Sequence, residues 1–441
     1  MASEWKETSI GALCDAGICA VQTGPFGSQL HSYDYVATGV PVVPTEAIRQ
    51  RRIDTTNLPK IAASKAEELK RHRLYESDIL FARRGAQATG EIAFVQQADA
   101  GSICGTGAIL LRVIKRETLD PEYLSFVLAD VSAKAWFRFH AIGATMPNLN
   151  EGIIRKFSFR LPPPAVQIAV RRALSCLDDK IELNRRMAAT LEEMARALFK
   201  SWFVDFDPVR AKAEGRPTGL PAATAALFPD SFGEDGLPEG WQETPFGDAF
   251  DIRNGNTPST EEPRYWDGEH HWATPKDLSP LASPVLLRTD RTLSDHGVAV
   301  VNSGLLPGGS LLLSTRAPIG YLAFASRPVA INQGMAGIVG KRLSTAFAWQ
   351  WCAANIDTFL AVAGGSTFPE ISKGTLRRLP MVVAPADVSS AFAACVDPIV
   401  ERLVQLAREN DHLATLRDTL LPRLISGELR IKDGAARGEA A

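Results

Sequence analysis

Apolar residues are distributed along this chain in two alternating textures. In the first 160 residues the apolar runs are short and bounded by Gly, Pro and other turn residues, as at 79–82, 92–95 and 108–113. Runs of this kind predict strands, and the longer stretch 121–139 predicts a helix. After Leu161-Pro162-Pro163-Pro164 the texture changes. Leu174, Leu177, Ile181, Ala188, Leu191, Ala195, Leu198 and Trp202 follow a spacing of three and four, broken only by the polar Asn184. That seam predicts a helix over 165–203, about 58 Å long at 1.5 Å per residue. Both textures then return. Short runs at 311–313, 321–325 and 335–339 predict strands, and 344–362 predicts a helix. Beyond Pro385, Phe392, Ile399, Leu403, Leu406, Leu413, Leu420 and Leu424 line one face, interrupted by Asn410. Two seams of such length suit two helices packed on each other better than two isolated core helices.

The return is a duplication. Trp5-Lys6-Glu7-Thr8 with Gly11 recurs as Trp241-Gln242-Glu243-Thr244 with Gly247. Residues 78–95 recur as 310–325, and 144–156 as 366–378, while the offset slides only from 236 to 222. Ordered, nearly colinear matches point to a copied unit of roughly 220–230 residues. The expected fold is α+β, with two tandem globular domains at 1–160 and 241–382. Spacer helices follow them at 161–206 and 383–430, antiparallel and coiled-coil-like, in an internal pseudo-twofold repeat. The Pro-, Gly- and Ala-rich stretch 207–240 reads as a surface-hugging linker, and 431–441 as a disordered tail.

Composition narrows the function. With 45% apolar residues over 441 positions the chain can bury sizeable cores. No run approaches 18 consecutive apolar residues, and the polar, acidic start lacks the basic and apolar regions of a signal peptide. Six cysteines without a CxxC pair suit reduced thiols and a cytoplasmic setting. A net charge of −2 argues against a protein that coats nucleic acid. Residues 1–160 carry 19 Lys/Arg against 17 Asp/Glu, and 241–381 carry 12 against 12, so any nucleic-acid surface must be local.

At this point the chain resembles a known family, the specificity subunits of type I restriction–modification systems. The strongest piece is LFKSWFVDFDPVR at 198–210, with 211–219 and ALFPDSF at 226–232, which is similar to that family's central region. Residues 252–278 resemble the start of a target-recognition domain, through Gly255, Thr257-Pro258, Tyr265-Trp266, Trp272 and Thr274-Pro275-Lys276-Asp277-Leu278. The stretch 25–48 is a divergent form of the same pattern. The resemblance implies that each globular half reads one half of a split double-stranded DNA target. It implies that the helices dock two adenine-methyltransferase subunits, which restriction subunits join. S-adenosylmethionine would belong to the methyltransferase, and ATP and magnesium to the restriction subunit. This chain would hold no cofactor and perform no chemistry.

Motifs for catalysis are weak. Cys104-Gly105-Thr106-Gly107 lacks the third glycine of a nucleotide loop, and Leu161–Pro164 has neither the Asn or Asp nor the aromatic of a base-flipping tetrapeptide. No P-loop occurs. His270 and His271 are adjacent, which suits a solvated loop rather than a metal site. Asp251 and Glu261-Glu262 lack the arrangement of a nuclease site. Candidate DNA contacts are basic residues beside predicted strands. Arg83 and Arg84 follow the run 79–82, and Arg316 holds the matching place after 311–313. Arginine beside small residues suits bidentate contact to guanine or phosphate, while an acid such as Asp78 is the competing partner. Arg49, Arg51 and Arg52 form a run suited to tracking phosphates, and Lys70–Arg73 reads as a solvated helix face. Lys276, Lys156, Arg377 and Arg378 complete the set. The competing expectation is a protein-binding helical adaptor without sequence-specific DNA recognition, kept open by the neutral balance of 241–381.

Overall fold

The computed structural model describes residues 5–85, 88–143, 145–316, 318–365 and 369–431. The tail read as disordered therefore lies almost wholly outside the described residues. The chain forms two compact units, Met1–Asp179 with Ala414–Ala441, and Lys180–Leu413. Each unit takes part of both long helices, so neither is a globular domain with only its own helix.

In the first unit four antiparallel strands stand in the order Cys19–Thr23, Ala108–Val113, Ile79–Ala82, Ile92–Phe94. Continuous apolar runs here mean burial on both faces, and every residue of Ile79–Ala82 is buried. A smaller lobe pairs Val40–Val43 in parallel with Ile103–Cys104 and antiparallel with Lys60–Ile61. A ribbon of Lys6–Ser9 on Ser158–Leu161 closes the domain. The second unit repeats this plan. Its main sheet runs Phe250–Asn254, Met335–Gly340, Leu311–Ser314, Leu322–Ala325, with Val285–Leu286 added at the edge. Trp266–Ala273 pairs in parallel with Val329–Ile331, and Gln242–Pro245 on Pro380–Val383 closes it. The recurring Gly11 and Gly247 sit against the short helices Glu151–Lys156 and Lys373–Arg378: an added Cβ would stand 2.9 Å from the Arg155 carbonyl oxygen or from Arg377 Cγ. Only glycine admits so close an approach.

The helices read at 121–139 and 344–362 are each two helices. Pro121–Ala129 and Val131–His140 part at Asp130, whose backbone is extended and whose carboxylate accepts from the Ser132 amide at 2.9 Å. That cap satisfies the start of a new helix. Thr345–Ala354 and Ile356–Val362 part at Asn355, whose amide side chain donates to the Trp351 carbonyl at 2.9 Å. The long helices are Pro164–Phe199, extended by a wider turn at Lys200–Val204, and Ala386–Ile425.

Within the second unit they run antiparallel, because Asn184 meets Asn410 while Met187 meets Arg402. In the first unit Asp178 meets Arg417, and Leu174 shares a core with Leu421 and Leu424. Stretch 207–240 does more than hug a surface. Its Phe228 is buried edge-on to Trp202 at 4.9 Å, inside an aromatic cluster with Phe203, Trp241, Phe347 and Phe392.

Candidate nucleic-acid interface

One hydrogen-bonded bracket occurs in both units. In the first, the Leu149 amide donates to the Arg83 carbonyl at 2.7 Å, and Asn148 bridges Arg84 on one side and Ile142 on the other. In the second, the Ile371 amide donates to the Thr315 carbonyl at 3.0 Å, and Glu370 bridges Arg316 and Gly364. Each bracket turns at a glycine of positive φ, Gly143 at 106° and Gly365 at 100°. Loop positions 86–87, 144, 317 and 366–368 lie outside the described residues.

The bracket settles which arginines correspond. Arg84 matches Arg316, whereas Arg83 matches Thr315. Arg83 is a latch: its Nε donates to Asn148 Oδ1 at 3.0 Å and to the Leu149 carbonyl at 3.2 Å. Arg84 is exposed. Asp78, its suspected partner, is buried and taken by Arg112 at 2.6 Å. Arg316 is 38% exposed and faces Glu370 at 3.6 Å. So Arg316 faces a carboxylate, whereas Arg84 is bridged through the backbone to the neutral Asn148.

The other basic candidates scatter. Arg49 is 61% exposed and paired with Asp54, and Arg52 is half-buried. Arg51 is the clear correction: its guanidinium points inward, 3.4 Å above the Phe126 ring and paired with Asp178. A buried, saturated guanidinium cannot track phosphates. Lys276 is exposed, bonded to Asp290 at 3.0 Å, and sits at the rim of a cavity of about 560 Å³ floored by Leu281, Val285, Leu406 and Ala407. Lys156 and Arg378 end matching helices and are exposed; Arg377 is exposed too and donates to the Ile252 carbonyl at 2.9 Å. The run 70–73 is not wholly solvated. Lys70 and Arg73 pair with Glu67, but His72 is buried against Gln22, and burial lowers its pKa. His270 and His271 lie on a strand, bonded to Asp295 and Thr289, rather than in a loop.

On the helices, Leu174, Ile181, Ala188, Ala195, Trp202, Leu403 and Leu406 are buried, and Leu177, Leu191, Leu198, Ile399, Leu413 and Leu420 are half-buried. The seam as read omitted Val396, which lies on its line four residues after Phe392, and missed Leu421, which lies one step off it; both are buried. Asn184 is fully buried, and its Nδ2 donates to Asn410 Oδ1 at 3.0 Å and Glu409 Oε2 at 2.9 Å. Glu192, on the first long helix, has its pKa pushed up to about 7 by burial, with Glu193 adding and Arg196 opposing. Among the described residues no helix is long and apolar enough to cross a membrane.

Comparison with known proteins agrees with this geometry. A family model described as the type I restriction modification DNA specificity domain matches residues 3–193 and again 238–406. The chain is 27% identical over 357 residues to the type I restriction enzyme HindI specificity subunit of Haemophilus influenzae, covering 70% of this chain and 77% of that one. It is 22% identical over 401 residues to the putative type I restriction enzyme MjaX specificity subunit of Methanocaldococcus jannaschii, covering 89% and 88%. In fold it is similar to the crystal structure of a type I restriction–modification S subunit from M. genitalium, with a TM-score of 0.56 at 15% identity over 96% of each chain. With one family model spanning both halves, the chain belongs to the type I restriction modification DNA specificity family, whose domain it carries twice.

Proposed function

We propose that this chain is the non-catalytic recognition subunit of a type I restriction–modification complex, acting in the cytoplasm. Each globular half, 1–160 and 241–382, reads one half of a split double-stranded DNA target. The helical parts, 161–206 and 383–430, dock two methyltransferase subunits and space the half-sites, and restriction subunits join through them. S-adenosylmethionine serves the methyltransferase, and ATP with magnesium serves the restriction subunit.

The observation that carries this reading is the recurring bracket. It holds Arg84 and Arg316 at matching places on two frames whose smaller lobes differ, four strands in one and three in the other. Similar frames with different surfaces suit two half-sites that share a backbone and differ in bases. Arg84, Arg316, Lys276, Arg49, Arg52, Lys156, Arg377 and Arg378 remain the proposed DNA-facing residues, with Arg83 supporting them through its latch on Asn148 and Leu149.

Single-molecule sequencing of adenine methylation, in cells expressing this chain with its cognate methyltransferase, tests the proposal. One split motif methylated in both halves is the expected result. Steep salt dependence of DNA binding by the complex, about 0.9 in log–log slope per neutralised phosphate, separates it from a protein-only adaptor. Methylation without a split motif would refute it.

A further inference from the structure

Arg51 sits in a two-residue turn, Gln50–Arg51, that joins the strands Ile48–Arg49 and Arg52–Ile53. Both turn residues have positive φ, 51° and 60°. This turn shape ordinarily selects Asn and Gly, and an arginine persists in it only where its surroundings over-determine it. Here they do. The Arg51 amide donates to the Ile92 carbonyl at 3.0 Å, and the Phe94 amide donates to the Arg51 carbonyl at 3.0 Å.

The side chain runs inward and is 12% exposed. It stacks on Phe126, donates to Ser125 Oγ at 3.0 and 3.2 Å, lies 3.8 Å from Glu122, and is ion-paired with Asp178. Asp178 belongs to the first long helix and accepts at 2.8 Å from Arg417 of the second. One carboxylate therefore ties a hairpin of the globular domain to both helices within the first unit. Burial lowers the Arg51 pKa to about 10, with Asp178 and Glu122 opposing, so the strut stays charged at neutral pH.

The same domain also meets the helices through an apolar core, where Phe126, Ile153, Ile154 and Phe157 join Val170, Leu174 and Leu421, and through Asp120 and Glu122, which pair with Arg171. Arg51 adds a contact one helical turn beyond Leu174, and through Asp178 it reaches both helices, so its loss lets the domain tilt about the remaining contacts. The opposite side of the hairpin, at Arg49 and Gln50, is exposed.

We propose that Arg51 is a positioning residue, which fixes the angle of the first reading domain on the two helices and so the gap at which its half-site is accepted. This rests on the split-target reading above. Arg51→Gly suits the positive φ and removes the strut, and Arg51→Lys keeps the charge without the fork. Asp178 retains Arg417 in both, so no buried carboxylate is orphaned.

Methylation sequencing of each variant with the cognate methyltransferase is the test. Both half-site sequences should survive in Arg51→Gly, while occupancy at the normal gap falls roughly tenfold, the scale of a lost charge-assisted hydrogen bond. Sites with a gap one base pair longer or shorter should appear, with Arg51→Lys in between. Simple destabilisation would lower methylation evenly and keep a single gap, and that outcome overturns the positioning role while the split-target reading stands. A variant that recognises different bases in the first half-site overturns it too. Lack of any split motif with the unaltered chain removes the underlying reading, and this inference with it.

Discussion

Arg84 and Arg316 occupy one position in two copies of a frame, yet the residue bridged to it is Asn148 in the first and Glu370 in the second, and Glu370 also faces the Arg316 guanidinium. A partly exposed pair such as Arg316–Glu370 is worth about 0–1 kcal/mol, so phosphates or a guanine edge can displace it. Arg84→Ala and Arg316→Ala should therefore damage different half-sites, each by about 1–3 kcal/mol if the contact is to guanine. Glu370→Gln should strengthen the second half-site alone. Titrating the complex with DNA mutated in one half at a time measures this, and unchanged affinity and motif for all three variants would exclude the bracket from the interface. Glu192 gives a prediction of a different kind. Its folded pKa is raised from 4.5 to about 7, chiefly by burial, so between those values the folded chain binds the proton more tightly than the unfolded chain. Stability contributed by the protonated form is present at low pH and is lost as pH rises through 7. Glu192→Gln should raise the melting temperature at pH 8 and leave it nearly unchanged at pH 4. Equal shifts at both would show that burial of this charge is not the cause.

At the scale of elements, the long helices are held by a seam of alternating burial with one polar layer. Asn184 satisfies Asn410 and Glu409 across the seam, and a buried amide that finds its partner in only one alignment selects that alignment. Ile181 lies one turn away and is buried. Ile181→Asp would place an unpaired carboxylate there, at a cost of several kcal/mol. The expected outcome is loss of the co-purifying methyltransferase with strand content retained by circular dichroism. Normal recovery of the complex would show that the seam does not organise docking. The split of each shorter helix at Asp130 and Asn355 follows the same logic at smaller scale, since a side chain that bonds its own backbone ends one helix and begins the next.

The whole molecule adds a condition to modularity. Each compact unit contains parts of both long helices, so a reading domain is grafted onto two surfaces and not one. Replacing 1–160 with the matching domain of a relative should rewrite one half of the methylated motif and leave the other intact. The graft should work best when residue 51 of the incoming domain can meet Asp178, or when the exchange extends through 179. Methylation sequencing of both grafts decides it, and a swap that rewrote both halves at once would end the two-reader model.

Much of this molecule was legible in its sequence, because local rules govern it. Chain-length periodicity marked the strands and both long helices, and ordered matches such as Trp5 with Trp241 marked the duplication. The polar interruptions at Asn184 and Asn410 were visible too, although their meeting was not. Charge runs were the weak signal. Arg49, Arg51 and Arg52 look alike in sequence, but Arg51 turns inward, because two positive φ angles and a carboxylate 127 residues away decide its direction. Arg83 and Arg84 are likewise indistinguishable until the bracket latches one and leaves the other exposed. Periodicity is a property of neighbouring residues, so sequence alone determined the elements, their copying and the apolar seams. The direction of a flexible cation depends on partners brought together only by folding, and tertiary structure alone decided which basic residues face solvent and which hold the domain to its helices.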